Sequence, residues 1–474
     1  MPRARLLSSA PSSTLAWWSS TTAVFAHPFT AGGSEHAVTA SDGTASGRKG
    51  LGRTFATVFT ANLASSLGDG IARTASPLLA ARLTDDPLLI AGIGAVAMLP
   101  WLFFAVPSGV LVDRMDRRQA LALAAGVRTA LAVVLVVLVA MNALTIWWLY
   151  LVIFIYGVCE TLYDGAIRAV VPSVVPKKDL PRANARIEGA ELVVQNFAAA
   201  PITSALFAVA VLIPIGGLVA AFGLAALLAV LLPAVASGRQ FHAAVATGEV
   251  AEVVPFRRQL VDGWHFIMGN RMLRTLWFFS IPVAILFSAS GATLVLFVLD
   301  TLAVPEAAFG LFLLSGAIGG LLGSVIASRL ARRFGLGPVM AAANLLAGIL
   351  VLLTGLLPTP VAALILFGLG AVVTTVWNVL IMSFRQAIIP GRLLGRVHGT
   401  WRTLLWGTMP IGSLIGGALA LIDLTVPWIV GGAGITVLGL IGYRFLMTLP
   451  NPEDIDNGDA PPPVTGTMPV VPAA

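Results

Sequence analysis

The feature that most constrains this chain is a succession of long apolar runs, each near the roughly 20 residues that a helix needs to cross a bilayer. They fall near 54–80, 88–112, 119–141, 145–170, 184–211, 214–236, 273–299, 306–328, 338–357, 360–389, 397–421 and 426–449. Only 11% of the 474 residues are charged, and mean hydropathy is +0.91. A soluble domain carries roughly 25% charged residues, so a soluble globular enzyme is excluded. Dividing the apolar body by about 33 residues per span and loop predicts about twelve spans.

Polar segments set the expected domain boundaries. Residues 1–52 are rich in Ser, Thr, Ala and Gly, and their apolar patch at Leu15–Trp18 is too short for a signal-peptide core. They read as a disordered extension. Residues 450–474 are acidic and Pro-rich and read as a disordered tail. Residues 237–272 divide six apolar runs at 53–236 from six at 273–449. Within that divider Phe256, Leu260, Trp264 and Ile267 recur at helical spacing against Arg and Asp, which predicts an amphipathic helix on a cytoplasmic linker.

Loop charge predicts orientation. Loops after the even runs carry Arg117, Arg118, Lys177, Lys178, Arg257, Arg258, Arg332, Arg333, Arg392 and Arg396. Loops after the odd runs carry Arg82 and otherwise acids, namely Asp85, Asp86, Asp300 and Glu306. Basic loops stay in the cytoplasm, so both termini are expected inside and the span count even. The formal net charge of +7 then reflects topology rather than nucleic-acid binding. An internal repeat is also visible. "DRMDRR" at 113–118 aligns with "SRLARR" at 328–333, and 163–182 aligns with 377–396. These features predict an all-α membrane protein of twelve transmembrane helices. Its two six-helix bundles would be related by a pseudo-two-fold axis along the membrane normal, with a substrate cavity between them.

The segments "GVLVDRMDRR" (Gly109–Arg118), "SSLGDGIARTASPLL" (Ser65–Leu79) and "LYDGAIRAVVPSVVPKKDLPRAN" (Leu162–Asn184) resemble the major facilitator superfamily. The resemblance is to its drug and siderophore efflux branch, that of enterobactin and macrolide exporters. Asp116 stands where the family signature carries glycine, and Ser328 replaces Asp113 in the second copy. The antiporter signature of span 5 is reduced to Pro201 in "AAAPITSA". The resemblance implies a conformational gate built from Gly109, Asp113, Arg114, Arg117, Arg118 and Asp164. Gly109 would allow close helix approach, and Asp164 would pair with an Arg of the 113–118 loop. It also implies that spans 1, 4, 7 and 10 line the cavity, which favours Tyr163, Trp277, Phe287 and Trp377 among the aromatics Trp101, Phe278, Trp401 and Trp406.

Ionisable groups inside apolar runs are costly and mark a cavity or a partner. Asn62, Ser65, Ser66, Asp69 and Arg73 share one helical face, so Asp69 and Arg73 are either cavity groups or an i,i+4 ion pair. Glu160, Asp164 and Arg168 form one stripe; Glu160 is a proton-coupling candidate or the buried partner of an Arg from another helix. Asn184, Glu188, Glu191 and Gln195 form another, with Glu191 and Gln195 the deep members.

Absent motifs narrow the function. The only lysines are Lys49, Lys177 and Lys178, and none sits in a P-loop. One cysteine, Cys159, and five scattered histidines offer no metal site. No cofactor and no enzymatic activity are expected. The expected protein is a monomeric multi-pass transporter of the bacterial inner membrane that exports a small amphiphilic molecule, a drug or siderophore-like metabolite, by alternating access with proton antiport. Its partners would be the substrate, protons and the lipid bilayer, with no nucleic acid. An importer or uniporter of the same fold, a membrane sensor or assembly protein, and a permease served by a separate ATPase remain alternatives.

Overall fold

The computed structural model describes residues 51–237 and 256–455. All regular elements among them are helical. The first series is α1 (Arg53–Leu83), α2 (Pro87–Phe103), α3 (Ala105–Arg114), α4 (Arg117–Ala140), α5 (Ile146–Val174), α6 (Leu180–Leu192), α7 (Ala200–Val209) and α8 (Leu212–Val230). After α9 (Phe256–Gly269) come α10 (Arg271–Gly291), α11 (Glu306–Phe334), α12 (Leu336–Leu356), α13 (Pro360–Ile388), α14 (Gly391–Trp406), α15 (Met409–Ala420) and α16 (Val426–Met447). Ten helices among the described residues are long and apolar enough to cross a membrane, counting 177–209 and 393–420 as one each. The first two apolar runs fall outside that set for physical reasons. Helix α1 has 31 residues, about 46 Å, but carries Asp69, Arg73 and Arg82. The second run breaks at Phe104, because Pro107 has no N–H for the Phe103 carbonyl.

Local chemistry sets the helix starts. Asp86 accepts from the N–H groups of Leu88 and Leu89, with Pro87 at the first helical position. Thr145 caps α5, Asn270 caps α10, and Asp116 caps α4 through the Arg118 N–H. Gly335 joins α11 to α12 at φ +85°, where a side chain would be strained. The helix expected in the linker is present as α9 and packs on α14: Arg396 pairs with Asp262 at 2.9 Å, and the Thr400 hydroxyl reaches the Leu260 carbonyl. The extension expected over 1–52 lies outside the described residues apart from Leu51 and Gly52. The expected disorder of 450–474 is corrected at its start. Asn451 accepts from the Leu336 N–H at 2.9 Å, and Pro452–Asp454 forms a turn.

The two ends of the molecule differ in packing. At the end bearing Asp85, Asp86, Asp300 and Glu306, one apolar core joins side chains from both series, among them Leu79, Ile90, Phe207, Phe297, Phe309 and Trp428. There α2 packs on α15 and α7 packs on α11. A Cβ on Gly310 would overlap the Ala200 carbonyl, and the Ser204 hydroxyl accepts from the Gly310 N–H at 2.9 Å. Arg82 grips Glu306 through two hydrogen bonds of 3.0 and 2.5 Å. At the basic end the core is divided. One cluster holds Val58, Val112, Leu121 and Val170, and a separate one holds Leu276, Met340, Leu380 and Trp401.

Candidate functional site

A cavity of about 660 Å³ lies between these ends. Its lining includes four carboxylates, Asp69, Glu160, Asp164 and Glu191, and three guanidinium groups, Arg73, Arg128 and Arg402. Of these seven, only Arg402 comes from the second helix series. A vestibule of about 280 Å³ adjoins the cavity on the side of Arg168 and Gly399 and shares Met98, Trp101, Asp164, Arg402 and Trp406 with it.

At the centre, α4 sends Arg128 into the bundle with 1% of its surface exposed. Its Nη1 donates to Asp69 Oδ1 at 2.9 Å and its Nη2 to Ser65 Oγ at 2.9 Å. The Tyr156 hydroxyl donates to the same Asp69 oxygen. The guanidinium lies between the rings of Tyr163 and Phe222, at 4.5 and 4.6 Å from their centroids. The charge is thus matched by one carboxylate and two ring faces, the pairing that a buried cation requires.

One turn further along α1 and α5, Arg73 Nη2 meets Glu160 Oε1 at 3.3 Å. The Arg73 side chain is 60% exposed, so this pair faces open space while Asp69–Arg128 does not. On the other flank Asn62 donates to Glu191 Oε1 at 2.7 Å. Gln195 reaches the lining from a π-helical turn, Val193–Ala199, which widens the helix between α6 and α7. Gly70 permits that arrangement, since a Cβ there would stand 2.5 Å from Ala199 Cβ.

Asp69, Arg73, Glu160, Glu191, Gln195 and Tyr163, named as cavity candidates, line this one cavity, and Asp164, expected at the gate, lines it too. Asp69 and Arg73 line the cavity and pair with other helices, Asp69 with Arg128 and Arg73 with Glu160, rather than with each other. Asn184 and Glu188 are exposed and stand outside the lining.

Three aromatic assignments are corrected. Trp277 is buried between Trp264 and Phe278, and Trp377 packs on Phe279. Phe287 lines a different cavity, of about 270 Å³, with Thr354, Thr374 and Trp428. The rings that face the main cavity are Trp101, Tyr156, Tyr163, Phe222 and Trp406.

The gate assignments also change. A Cβ on Gly109 would meet nothing within 4 Å, so no helix approaches closely there. Asp164 faces Arg168 on its own helix at 3.6 Å rather than an Arg of the 113–118 loop. Arg117 is buried and donates to the Ala169 carbonyl at 2.7 Å, while Arg118 pairs with Asp116 at 2.8 Å and also reaches the Leu232 carbonyl. Arg114 is exposed, and the side chain of Asp113 lies outside the described ones.

Sequence reasoning missed Arg128, Tyr156, Phe222 and Arg402, and it named Trp101 and Trp406 but favoured other rings. Arg128 had a legible signal, being a lone charge ten residues into an apolar run, where only a function or a partner justifies its cost. No ordering of Tyr156, Arg402 or Trp406 along the chain marks them as cavity groups.

Comparison with known proteins places this architecture. The family model of transmembrane secretion effectors matches residues 51–465. The multidrug efflux pump Tap of Mycobacterium tuberculosis is 26% identical over 388 residues, covering 76% of this chain and 86% of that protein. Macrolide efflux protein A of Streptococcus pyogenes is 26% identical over 126 residues, 27% of this chain. The chain spans 31% of the length of that relative. Among solved structures, a bacterial homologue of the iron transporter ferroportin in an inward-facing state superposes with a TM-score of 0.66 at 18% identity, covering 84% of this chain and all of that one. The nucleoside transporter NupG superposes with a TM-score of 0.63 at 13% identity, covering 84% and 99%. These two share the fold. The match across nearly the whole described chain, on a helical bundle that encloses a charged central cavity, shows that this multi-pass membrane protein belongs to the transmembrane secretion effector family of the major facilitator superfamily.

Proposed function

We propose that the chain is a twelve-span exporter of small amphiphilic molecules, driven by proton entry. Helix α1 and the broken pair α2–α3 add two crossings to the ten apolar ones, giving six spans over 53–236 and six over 273–449 about a pseudo-two-fold axis. Both termini lie in the cytoplasm of a bacterial cell, because the Arg- and Lys-bearing loops share one side.

The observation that carries this reading is the central cavity: seven charged side chains around about 660 Å³, sealed at the acidic end by a shared core and divided at the basic end. With the basic end cytoplasmic, this is the inward-facing state in which an exporter loads. Rocking of the two bundles would break the Arg82–Glu306 link and the α7–α11 contact while closing the vestibule. Within the cavity the two interhelical ion pairs divide the work. Asp69–Arg128 is the fixed centre, since removing either charge would strand the other among apolar groups. Glu160–Arg73 is the exchangeable pair: one 3.3 Å contact at an open wall, which a proton on Glu160 releases. Net inward movement of one charge supplies about 2.3 kcal/mol per 100 mV. At about 1.4 kcal/mol per tenfold, that sustains a concentration ratio of roughly forty. The relatives named for macrolide and multidrug efflux support the direction.

A susceptibility panel on a deletion strain tests this. Complementation by the native chain should raise resistance to at least one amphiphilic compound, and Glu160→Gln should lose that gain while still reaching the membrane. Equal resistance from Glu160→Gln and the native chain would remove Glu160 from the coupling.

A further inference from the structure

The charged groups of the cavity are matched one by one, with a single exception. Asp69 is held by Arg128, Glu160 by Arg73, Asp164 by Arg168, and Glu191 by the amide of Asn62. Arg402 makes no ion pair with a described carboxylate. It is held by two indole faces instead: its guanidinium carbon lies 4.3 Å from the Trp406 ring centroid and 5.1 Å from that of Trp101. Both distances fall within the roughly 6 Å over which a ring quadrupole attracts a cation.

The position is as telling as the contact. Trp101 ends α2 in the first helix series, and Trp406 ends α14 in the second. The indole pair therefore spans the cavity wall between two parts of the chain some 300 residues apart. Trp101, Arg402, Trp406 and Asp164 line both the main cavity and the vestibule, so the pair stands at the neck that a ligand passes on its way in.

We propose that Trp101 and Trp406 form a clamp for an organic cation, a delocalised guanidinium, quaternary ammonium or phosphonium group, and that Arg402 fills the clamp when no ligand is present. This rests on the reading of the cavity as the substrate pathway. A bound cation displaces the guanidinium into the vestibule beside Asp164, whose carboxylate lines the same neck. Two aromatic faces with a carboxylate nearby recognise a diffuse positive charge without demanding a particular hydrogen-bond pattern. A chain that supplies its own cation keeps those faces from closing on lipid or on each other.

The test uses the full chain in lipid nanodiscs and an isosteric pair of probes, tetraphenylphosphonium and tetraphenylborate, with binding measured by equilibrium dialysis. Arg402→Ala removes the internal competitor and should tighten tetraphenylphosphonium binding at least five-fold. Adding Trp101→Leu to Arg402→Ala should abolish the gain, whereas adding Trp101→Phe, which keeps a ring face, should preserve most of it. The Trp101→Phe arm separates loss of the clamp from loss of folding. Two outcomes overturn the proposal: unchanged phosphonium affinity in Arg402→Ala, or loss of tetraphenylborate binding in that variant with phosphonium affinity unaltered, which would make Arg402 an anion site. Binding is read at equilibrium without transport. A protein that passes this test and fails to export would sink the export reading alone, and an exporter that fails it would sink the clamp alone.

Discussion

The helices before residue 237 and those after residue 271 hold together by different means. In the first series, buried polar and charged groups sit at the helix interfaces: Arg128 against Asp69 and Ser65, Ser108 against Thr161, Arg117 against the Ala169 carbonyl. In the second, glycines let backbones touch. A Cβ on Gly319 would overlap the Gly368 carbonyl, one on Gly416 the Ala289 carbonyl, and one on Gly432 the Leu352 backbone. The cavity that the second series encloses, about 270 Å³ lined by Phe287, Ser290, Thr354, Thr375 and Trp428, carries no charge. Ion pairs between helices exchange protons and partners, and glycine contacts do not. The contrast suggests a division of labour between a responsive first series and a more rigid second one.

The largest expected effect comes from stripping the first series of its central cation. Arg128→Ala leaves Asp69 buried without its partner, and breaking such a pair costs about 3–5 kcal/mol. Thermal unfolding in detergent should show a strongly destabilised protein, with much of the loss recovered in Asp69→Asn/Arg128→Met. A variant as stable as the native chain would break the comparison at its centre.

The second series should respond to volume instead. Gly319→Ala forces helices α11 and α13 apart and should cost about 1–3 kcal/mol, as overpacking does. Gly370→Ala on the same pair of helices meets open space within 4 Å and should be neutral, or stabilising by up to about 1 kcal/mol. Equal melting temperatures for the two variants would show that glycine contact is not what holds this region.

A smaller effect on stability, with a large one on activity, is expected at the exposed pair. Arg73→Ala should change stability by less than about 1 kcal/mol, because its side chain is 60% exposed. Efflux of a transported compound should still fall at least ten-fold. A parallel loss of stability and efflux would make Arg73 a packing residue like Arg128.

The smallest effect lies in the short loop between α15 and α16, outside the spans. There Asp423 accepts from the hydroxyl and the backbone N–H of Thr425, and these bonds hold its carboxyl below the usual carboxylate range. A depressed carboxyl adds stability that is present above its unfolded value and lost as pH falls through its folded value. Carboxyl NMR titration should place Asp423 below an ordinary aspartate, and Thr425→Val should move it back up. An unshifted titration would show that the loop is not ordered by these bonds.

Much of the fold was legible because lipid imposes one rule, a long apolar run for each crossing, and the linker helix was legible from the spacing of Phe256, Leu260, Trp264 and Ile267. The interruptions were less so. The break at Phe104 follows from Pro107, but the π turn at Val193–Ala199 has no composition of its own. In the site, carboxylates inside apolar runs announced themselves at Asp69, Glu160 and Glu191. Trp277 and Trp377 misled because a ring at the expected span number packs in the core as readily as it faces a cavity. Arg402 was hidden for the opposite reason: it lies near the basic end of its span, where an arginine usually marks topology.

The central claim, that the cavity loads from the basic side and empties against a proton gradient, is tested most directly in everted membrane vesicles. Vesicles carrying the native chain, with the interior acidified, should accumulate an amphiphilic probe, and a protonophore should collapse that accumulation to the level of vesicles bearing Glu160→Gln. Accumulation that survives the protonophore unchanged, or that is equal in the native and Glu160→Gln vesicles, would contradict proton-driven export through this cavity.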